Sequence, residues 1–188
     1  MKPLNKRLYQ GKASAFVELY DLLGEKLFRY VYAQVGSADD AADIVQETFI
    51  RLVKSHRALA KADNVNSYVF AAARNESIRW TNKHRRHRQV STTNESFQEP
   101  ASVNQLAAEI DNNDWIKNVL AKLDPVDQEI VQLKIFSQLT FSEIADVTKI
   151  AKSNVATRYR RAIAKLELTL ASTSLPNTAD NQKAKSKS

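Results

Sequence analysis

An all-α protein, built as two small helical domains joined by a flexible linker, is the fold class that three features of the sequence predict. All three glycines, Gly11, Gly24 and Gly36, fall in the first fifth of the 188 residues. Pro3, Pro100, Pro125 and Pro176 stand near ends or breaks, so long stretches are free of helix breakers. Apolar residues recur at three- and four-residue spacing on both sides of residues 89–105. Those residues are themselves rich in Ser, Thr, Asn and Gln and have no apolar period, which marks them as a linker. The expected division is a first domain over 1–88, the linker over 89–105 and a second domain over 106–171. A tail over 172–188 is too poor in apolar residues to order itself.

The elements follow in order. Phe16, Leu19, Tyr20, Leu23, Leu27, Tyr30 and Val31 make one apolar face of a first helix that ends at Gly36. Ser37 with Asp40 is a cap signal for a second helix, which turns Ala41, Ile44, Val45, Thr48, Phe49 and Leu52 inward and runs to about His56. A polar connector over 57–65 leads to a third helix from Asn66 or Ser67. Tyr68, Val69, Ala72 and Ala73 face inward there, and the far end is very basic. In the second domain, Asp124-Pro125 is an N-cap followed by proline at the first helical position. Thr140 and Glu143 are spaced as a capping box at the head of a short helix over 141–147. Val155, Tyr159, Ala162 and Leu166 line one face of a last long helix. With Ile144, Ala145 and Ile150 they pack these two helices as a helix-turn-helix.

Composition narrows the function. Charged residues at 26% and hydrophobic residues at 43% suit a globular chain with a core. Lys and Arg outnumber Asp and Glu by 28 to 21, and the net charge of +7 favours a polyanionic partner, nucleic acid before membrane surface. The absence of cysteine excludes disulfides, thiolate zinc sites and a Cys nucleophile. Residues 1–10 contain no apolar signal core, and no run approaches the roughly 18 apolar residues of a membrane span, so a cytoplasmic protein without membrane insertion is expected.

Three constellations carry chemistry. Asp39, Asp43 and Glu47 repeat at four-residue spacing with Asp40 and Gln46 beside them. A favourable acidic first turn explains Asp39 and Asp40, whereas Asp43 and Glu47 suit a docking surface for a basic partner helix. A Mg²⁺ nuclease would need a second carboxylate cluster, which the chain does not offer. The second constellation is basic: Arg74, Arg79, Lys83, Arg85, Arg86 and Arg88 stand against one acid, Glu76. Asn75 and Trp80 on the same helix add groups able to hydrogen-bond or stack on unpaired bases, so single-stranded DNA is the natural ligand. The bland alternative is a solubilising face whose Trp80 packs in the core. His84 and His87, set among these cations, make a poor metal site, and neither metal nor cofactor is expected. The third is the outward face of the last helix. Lys152, Asn154, Thr157, Arg160 and Arg161, with Ser153 and Arg158 between them, are candidates for duplex readout. Nothing arranges a nucleophile with a base and its orienting group, so an enzyme is not expected.

On these residues the chain resembles the extracytoplasmic-function group of bacterial sigma factors over about residues 16–170. The run Asp43-Ile44-Val45-Gln46-Glu47-Thr48-Phe49-Ile50-Arg51-Leu52 is similar to the region that grips the clamp helices of RNA polymerase. The resemblance thereby implies polymerase contacts at Asp40, Asp43, Gln46, Glu47 and Phe49. Asn66-Ser67-Tyr68 through Ala73-Arg74-Asn75 and the basic run are similar to the segment that melts and holds the minus-ten element. The connector over 61–65 would help hold a flipped base. Minus-ten contacts are thus implied at Lys61, Asn64, Asn66, Arg74, Asn75, Arg79, Lys83, Arg85 and Arg86. Leu123-Asp124-Pro125 through Leu133, then Leu139 through Ala145, are similar to the region that reads the minus-thirty-five element, implying contacts at Lys152, Ser153, Asn154, Thr157, Arg158, Arg160 and Arg161.

The implied partners are core RNA polymerase, promoter DNA both duplex and single-stranded, and an anti-sigma factor. The implied function is promoter recognition, DNA melting and transcription initiation, with 89–105 threading the polymerase. The chain departs from the family pattern at Lys149, where glycine is frequent in the turn, at Ala151, where serine is frequent, and at Ala156, where a basic residue is frequent. The alternative reading is a helix-turn-helix repressor or activator that is not a polymerase subunit. It leaves the acidic stripe unexplained.

Overall fold

Every regular element among the described residues, 3–88 and 118–174, is a helix in the computed structural model. Side chains are described for 3–84 and 118–171; the linker and most of the tail lie outside these ranges. The first lobe contains α1 (Pro3–Tyr9), α2 (Ala13–Val35), α3 (Ala38–Lys54), α4 (His56–Lys61) and α5 (Val65–Arg88). The second contains α6 (Pro125–Ile135), α7 (Phe141–Thr148) and α8 (Lys152–Ser174). The last helix thus runs three residues past the expected start of the tail.

Local chemistry sets most boundaries. Gly36 ends α2 in the left-handed conformation (φ 74°) and its N–H donates to the Tyr32 carbonyl. Ser37 caps α3 by accepting from the Asp40 N–H, and Asp124 caps α6 by accepting from the Val126 and Asp127 N–H groups. Thr140 and Glu143 form the reciprocal capping box of α7. The third helix begins slightly earlier than its spacing suggests, at Val65, because the Asn64 side chain accepts from the Ser67 N–H.

Two expectations need correction, and one helix was not foreseen. The connector over 57–65 is largely helical: α4 buries Leu59 and Ala60 against the first lobe. Its apolar pair was too short to show a period. The polar start of the chain also forms a helix, α1, because Leu8 is fully buried and the Asn5 amide donates to the Ala60 carbonyl. Tyr20, placed in the core by its spacing, is 54% exposed, while Leu19, Leu23, Leu27, Tyr30 and Val31 are buried as expected.

The two lobes share one core. Ile130, Leu133, Leu139, Ile144, Val147 and Val155 of the second lobe belong to the same apolar cluster as Leu27, Tyr30, Val31, Val69 and Phe70 of the first. On its other side α6 sends Val131 to a smaller cluster with Leu120, Leu123, Ala162 and Leu166. Ile130, Val131, Gln132 and Leu133 are consecutive and all buried, which spans more than one 3.6-residue turn. That helix is therefore enclosed on every side at this level.

The turn between α7 and α8 is strained at one residue. Lys149 adopts φ 62°, ψ 25°, and its N–H donates to the Ala145 carbonyl to close α7. A left-handed residue with a Cβ costs about 1–2 kcal/mol, part of which glycine gives back as unfolded-chain entropy. Lys149→Gly should therefore stabilise the protein by about 0.5–1 kcal/mol, read as an increase in the urea midpoint at unchanged slope.

Candidate functional site

Three surfaces hold the residues singled out by the sequence. On α3, Asp43 and Gln46 are exposed, Asp39, Asp40 and Glu47 are half-buried, and Ile44, Val45, Thr48 and Leu52 point into the core. Phe49 lies at the edge, with its ring 5.1 Å from that of Tyr20 at 63°. These rings, with Val45, Ile50 and Val53, line an open, largely apolar groove of about 890 Å³ between α2 and α3. Gly24 shapes its wall: a Cβ there would stand 3.3 Å from the Tyr20 ring, so glycine lets the ring lie along α2. Asp21 and Glu25 of α2 and Gln46 of α3 also line it, so the apolar groove carries an acidic edge, an arrangement suited to a partner helix with basic flanks.

Glu47 continues into a line of charge. Its carboxylate accepts from Arg51 Nε at 3.0 Å, Arg51 lies 3.0 Å from Glu76 on α5, and Glu76 accepts from Arg79 at 2.8 Å. Glu76 is only 8% exposed, and two guanidinium groups offset the cost of burying its charge. The line fixes the acidic face of α3 relative to the basic face of α5. The sequence offered Glu76 only as a lone acid in a basic run.

On the second surface, Lys61, Asn66, Asn75, Arg79 and Lys83 are exposed, whereas Asn64 and Arg74 are half-buried. The side chains of Arg85, Arg86, His87 and Arg88 lie outside those described. Trp80 is half-buried against the core and stacks on His84 at 3.9 Å, so it is a packed residue rather than a free platform. No group of His, Asp and Glu able to hold a metal ion is found among the described residues.

Part of this surface already has partners from the second lobe. Arg74 donates to both Glu129 oxygens, at 2.7 and 3.1 Å, and Tyr30 donates to the same carboxylate at 2.8 Å. Burial, and then the Glu129 carboxylate, holds the Tyr30 phenol well above its ordinary pKa. It remains a donor at any ordinary pH. Asn64 and Asn66 both donate to Glu143 Oε1, at 3.0 and 3.4 Å, and the Ser67 hydroxyl lies 3.3 Å from Asp146. Glu129 and Asp146 gave no local signal, being ordinary helix carboxylates in sequence. Glu143 was visible only as a cap.

On the third surface, Lys152, Ser153, Asn154, Thr157, Arg160 and Arg161 of α8 are all exposed on the outer face. Arg158 differs. It pairs with Asp124 at 3.1 Å and Asp127 at 2.7 Å, which ties α8 to the start of α6. The Asp127 N–H lowers the Asp124 pKa, while burial raises that of Asp127. Ala151 has no side-chain oxygen to cap α8, and the first turn closes through the Val155 N–H on the Ala151 carbonyl.

Comparison with known proteins adds independent findings. Residues 19–87 match the model of Sigma-70 region 2, and residues 113–166 that of Sigma-70 region 4. The ECF RNA polymerase sigma factor BldN of Streptomyces coelicolor is 28% identical over 167 residues, 87% of this chain. The chain spans 63% of that relative's length. The ECF RNA polymerase sigma factor SigL of Mycobacterium tuberculosis is 28% identical over 85% of this chain and 91% of its own. Among solved structures, CnrH in complex with the cytosolic domain of CnrY has the same fold, with a TM-score of 0.66. It is 20% identical and covers 90% of this chain and 96% of its own. The sigma factor RpoE of Bartonella quintana, solved with the anti-sigma factor NepR, aligns with a TM-score of 0.62. It is 24% identical over 82% of this chain and 94% of its own.

Glu143 gives a prediction of its own. Burial pushes its carboxyl up, but hydrogen bonds from the Thr140 N–H and hydroxyl and from the Asn64 and Asn66 amides outweigh that and leave it lowered. A lowered folded pKa contributes stability that is complete above the ordinary glutamate value of about 4.3 and lost as pH falls through the folded value. Urea midpoints measured from about pH 5 to pH 3 should fall more steeply for the wild type than for Glu143→Gln.

Proposed function

From the premise that the chain belongs to the extracytoplasmic-function group of RNA polymerase sigma factors, we infer that α3 docks on polymerase and that α5 and α8 read the promoter. The protein directs transcription initiation. A stand-alone helix-turn-helix regulator would not need a Sigma-70 region 2, which residues 19–87 match.

The observation that carries the docking assignment is the groove lined by Phe49 and Tyr20, with Gln46, Asp21 and Glu25 in its wall and Asp43 exposed on the same helix. A basic amphipathic helix laid there would bury apolar side chains and meet carboxylates at its rim. For DNA, the exposed amide of Asn75 and the cations Arg79 and Lys83 follow one stretch of α5, with Arg74 on the same helix and Lys61 and Asn66 near its start. These groups suit an unpaired strand, whose phosphates meet cations and whose base edges meet amides. Arg85 and Arg86 extend that run by sequence. On α8 the exposed Lys152, Asn154, Arg160 and Arg161 suit the major groove, with Ser153 as a neutral phosphate donor, whereas the Thr157 hydroxyl donates to the Ser153 carbonyl. Arg158, held by two aspartates, acts instead as a brace that orients α8. The chain supplies binding and positioning, and the polymerase supplies the chemistry.

The test is co-purification of the tagged protein with core RNA polymerase, followed by run-off transcription from genomic fragments. Wild type should bind and create new start sites. Asp43→Lys with Glu47→Lys should reduce core binding by at least about tenfold, since like charges would then face a basic partner. Helicity should be unchanged. Normal polymerase binding by this variant would overturn the docking assignment. Arg160→Ala with Arg161→Ala should weaken duplex promoter binding and flatten its salt dependence, because fewer counterions are then released.

A further inference from the structure

We propose that the outer face of α1 and α4 is a further binding site for single-stranded DNA, taking the strand where it leaves the minus-ten contacts at the start of α5. The proposal rests on the assignment of Lys61, Asn66 and α5 to that strand. Residues 1–17 and 48–62 hold four Lys or Arg each and no Asp or Glu. Parts of the two segments fold together. Leu8 is fully buried, the Asn5 amide donates to the Ala60 carbonyl at 3.3 Å, and His56 Nδ1 lies 3.2 Å from the Leu8 carbonyl oxygen. A helix of seven residues is marginal by itself, so it is packing on α4 that orders α1 and fixes the side chains it carries.

The exposed side of this helix pair is continuous. Lys6 and Tyr9 stand three residues apart on α1, Arg57 and Lys61 four apart on α4, and each pair shares one face of its helix. The two faces meet where Lys61 Nζ lies 6.0 Å from the centre of the Tyr9 ring. All four side chains are exposed. None of Lys6, Arg57 and Lys61 has a carboxylate partner among the described residues. The rest of the lobe behaves differently: Arg7, Arg29, Arg51, Arg74 and Arg79 each pair with a glutamate, and Arg57 alone of its described arginines does not. Unpaired cations gathered on one surface repel one another, and a run of phosphates relieves that repulsion. The Tyr9 ring among them selects the kind of polyanion. A single strand offers base faces that stack on an aromatic ring, whereas a duplex keeps those faces inside. Lys61 belongs to both surfaces, and Asn66 at the start of α5 is five residues further on.

The test uses the protein bound to core polymerase and two fluorescent forked fragments of a promoter found by run-off transcription. Both carry the same duplex and minus-ten strand. In the short fragment that strand stops there; in the long one about six unpaired thymidines follow, enough for one single-strand site. Wild type should bind the long fragment at least about tenfold more tightly than the short one, through stacking and phosphate contacts together. Lys6→Ala with Tyr9→Ala and Arg57→Ala should lose that gain, yet bind the short fragment within about twofold of wild type, which also shows that the variant is folded. Removal of two cations should lower the salt slope of long-fragment binding by about 1.4, at about 0.7 per phosphate contact on a single strand. Tyr9→Ala alone should cost at least about fivefold on the long fragment, while Tyr9→Phe, which keeps the stacking face, should bind like wild type. A gain that survives in the triple variant would overturn the site. Binding to phosphatidylserine vesicles that the triple variant loses, with the strand gain intact, would assign the face to a membrane surface instead. Asn75→Ala with Lys83→Ala separates this proposal from the reading beneath it. If that variant binds the short fragment normally, the minus-ten assignment of α5 fails. If it binds the short fragment weakly while the triple variant keeps its gain, only the site on α1 and α4 fails.

Discussion

The arrangement of the lobes turns on the Glu129 carboxylate. It is half-buried between them, receives both arms of Arg74 and the hydroxyl of Tyr30, and is the only second-lobe group seen to bind both α2 and α5 among the described residues. Paired charges of this kind add little net stability relative to a well-packed apolar contact, but removal of one partner leaves the other charge stranded. The pair therefore acts on registry more than on strength. Apolar burial from Ile130, Leu133 and Ile144 would tolerate several docking angles; a bidentate guanidinium and a phenol converging on one carboxylate tolerate few.

The same logic runs through the first lobe. Glu47, Arg51, Glu76 and Arg79 alternate in sign from the outer face of α3 to the basic face of α5. Arg51 and Arg79 are substantially exposed, so each surface pair is weak by itself. Buried Glu76 is the exception, because it keeps its charge only while those guanidinium groups stay beside it. The faces of α3 and α5 are thus linked through a shared carboxylate, and Arg79 is held on the solvent side of the helix.

Most of the fold was legible because most of it is local. The caps at Ser37, Asp124 and Thr140 and the left-handed end at Gly36 are each a few residues of sequence with one geometric outcome. Core residues at helical spacing followed, apart from Tyr20, whose neighbour across the gap is Phe49 rather than a buried wall. Helices α1 and α4 were missed because each has under two turns and depends on the other: Leu8, Leu59, Ala60 and the Asn5 amide make sense only once paired. The lobe contact was out of reach for a related reason. Glu129, Glu143 and Asp146 lie at least 55 residues from their partners on α5 and its preceding loop, and no spacing rule connects such positions. One trace of it was present: four apolar or amide residues in a row, Ile130 to Leu133, on a helix that a small isolated lobe would leave wet on one side.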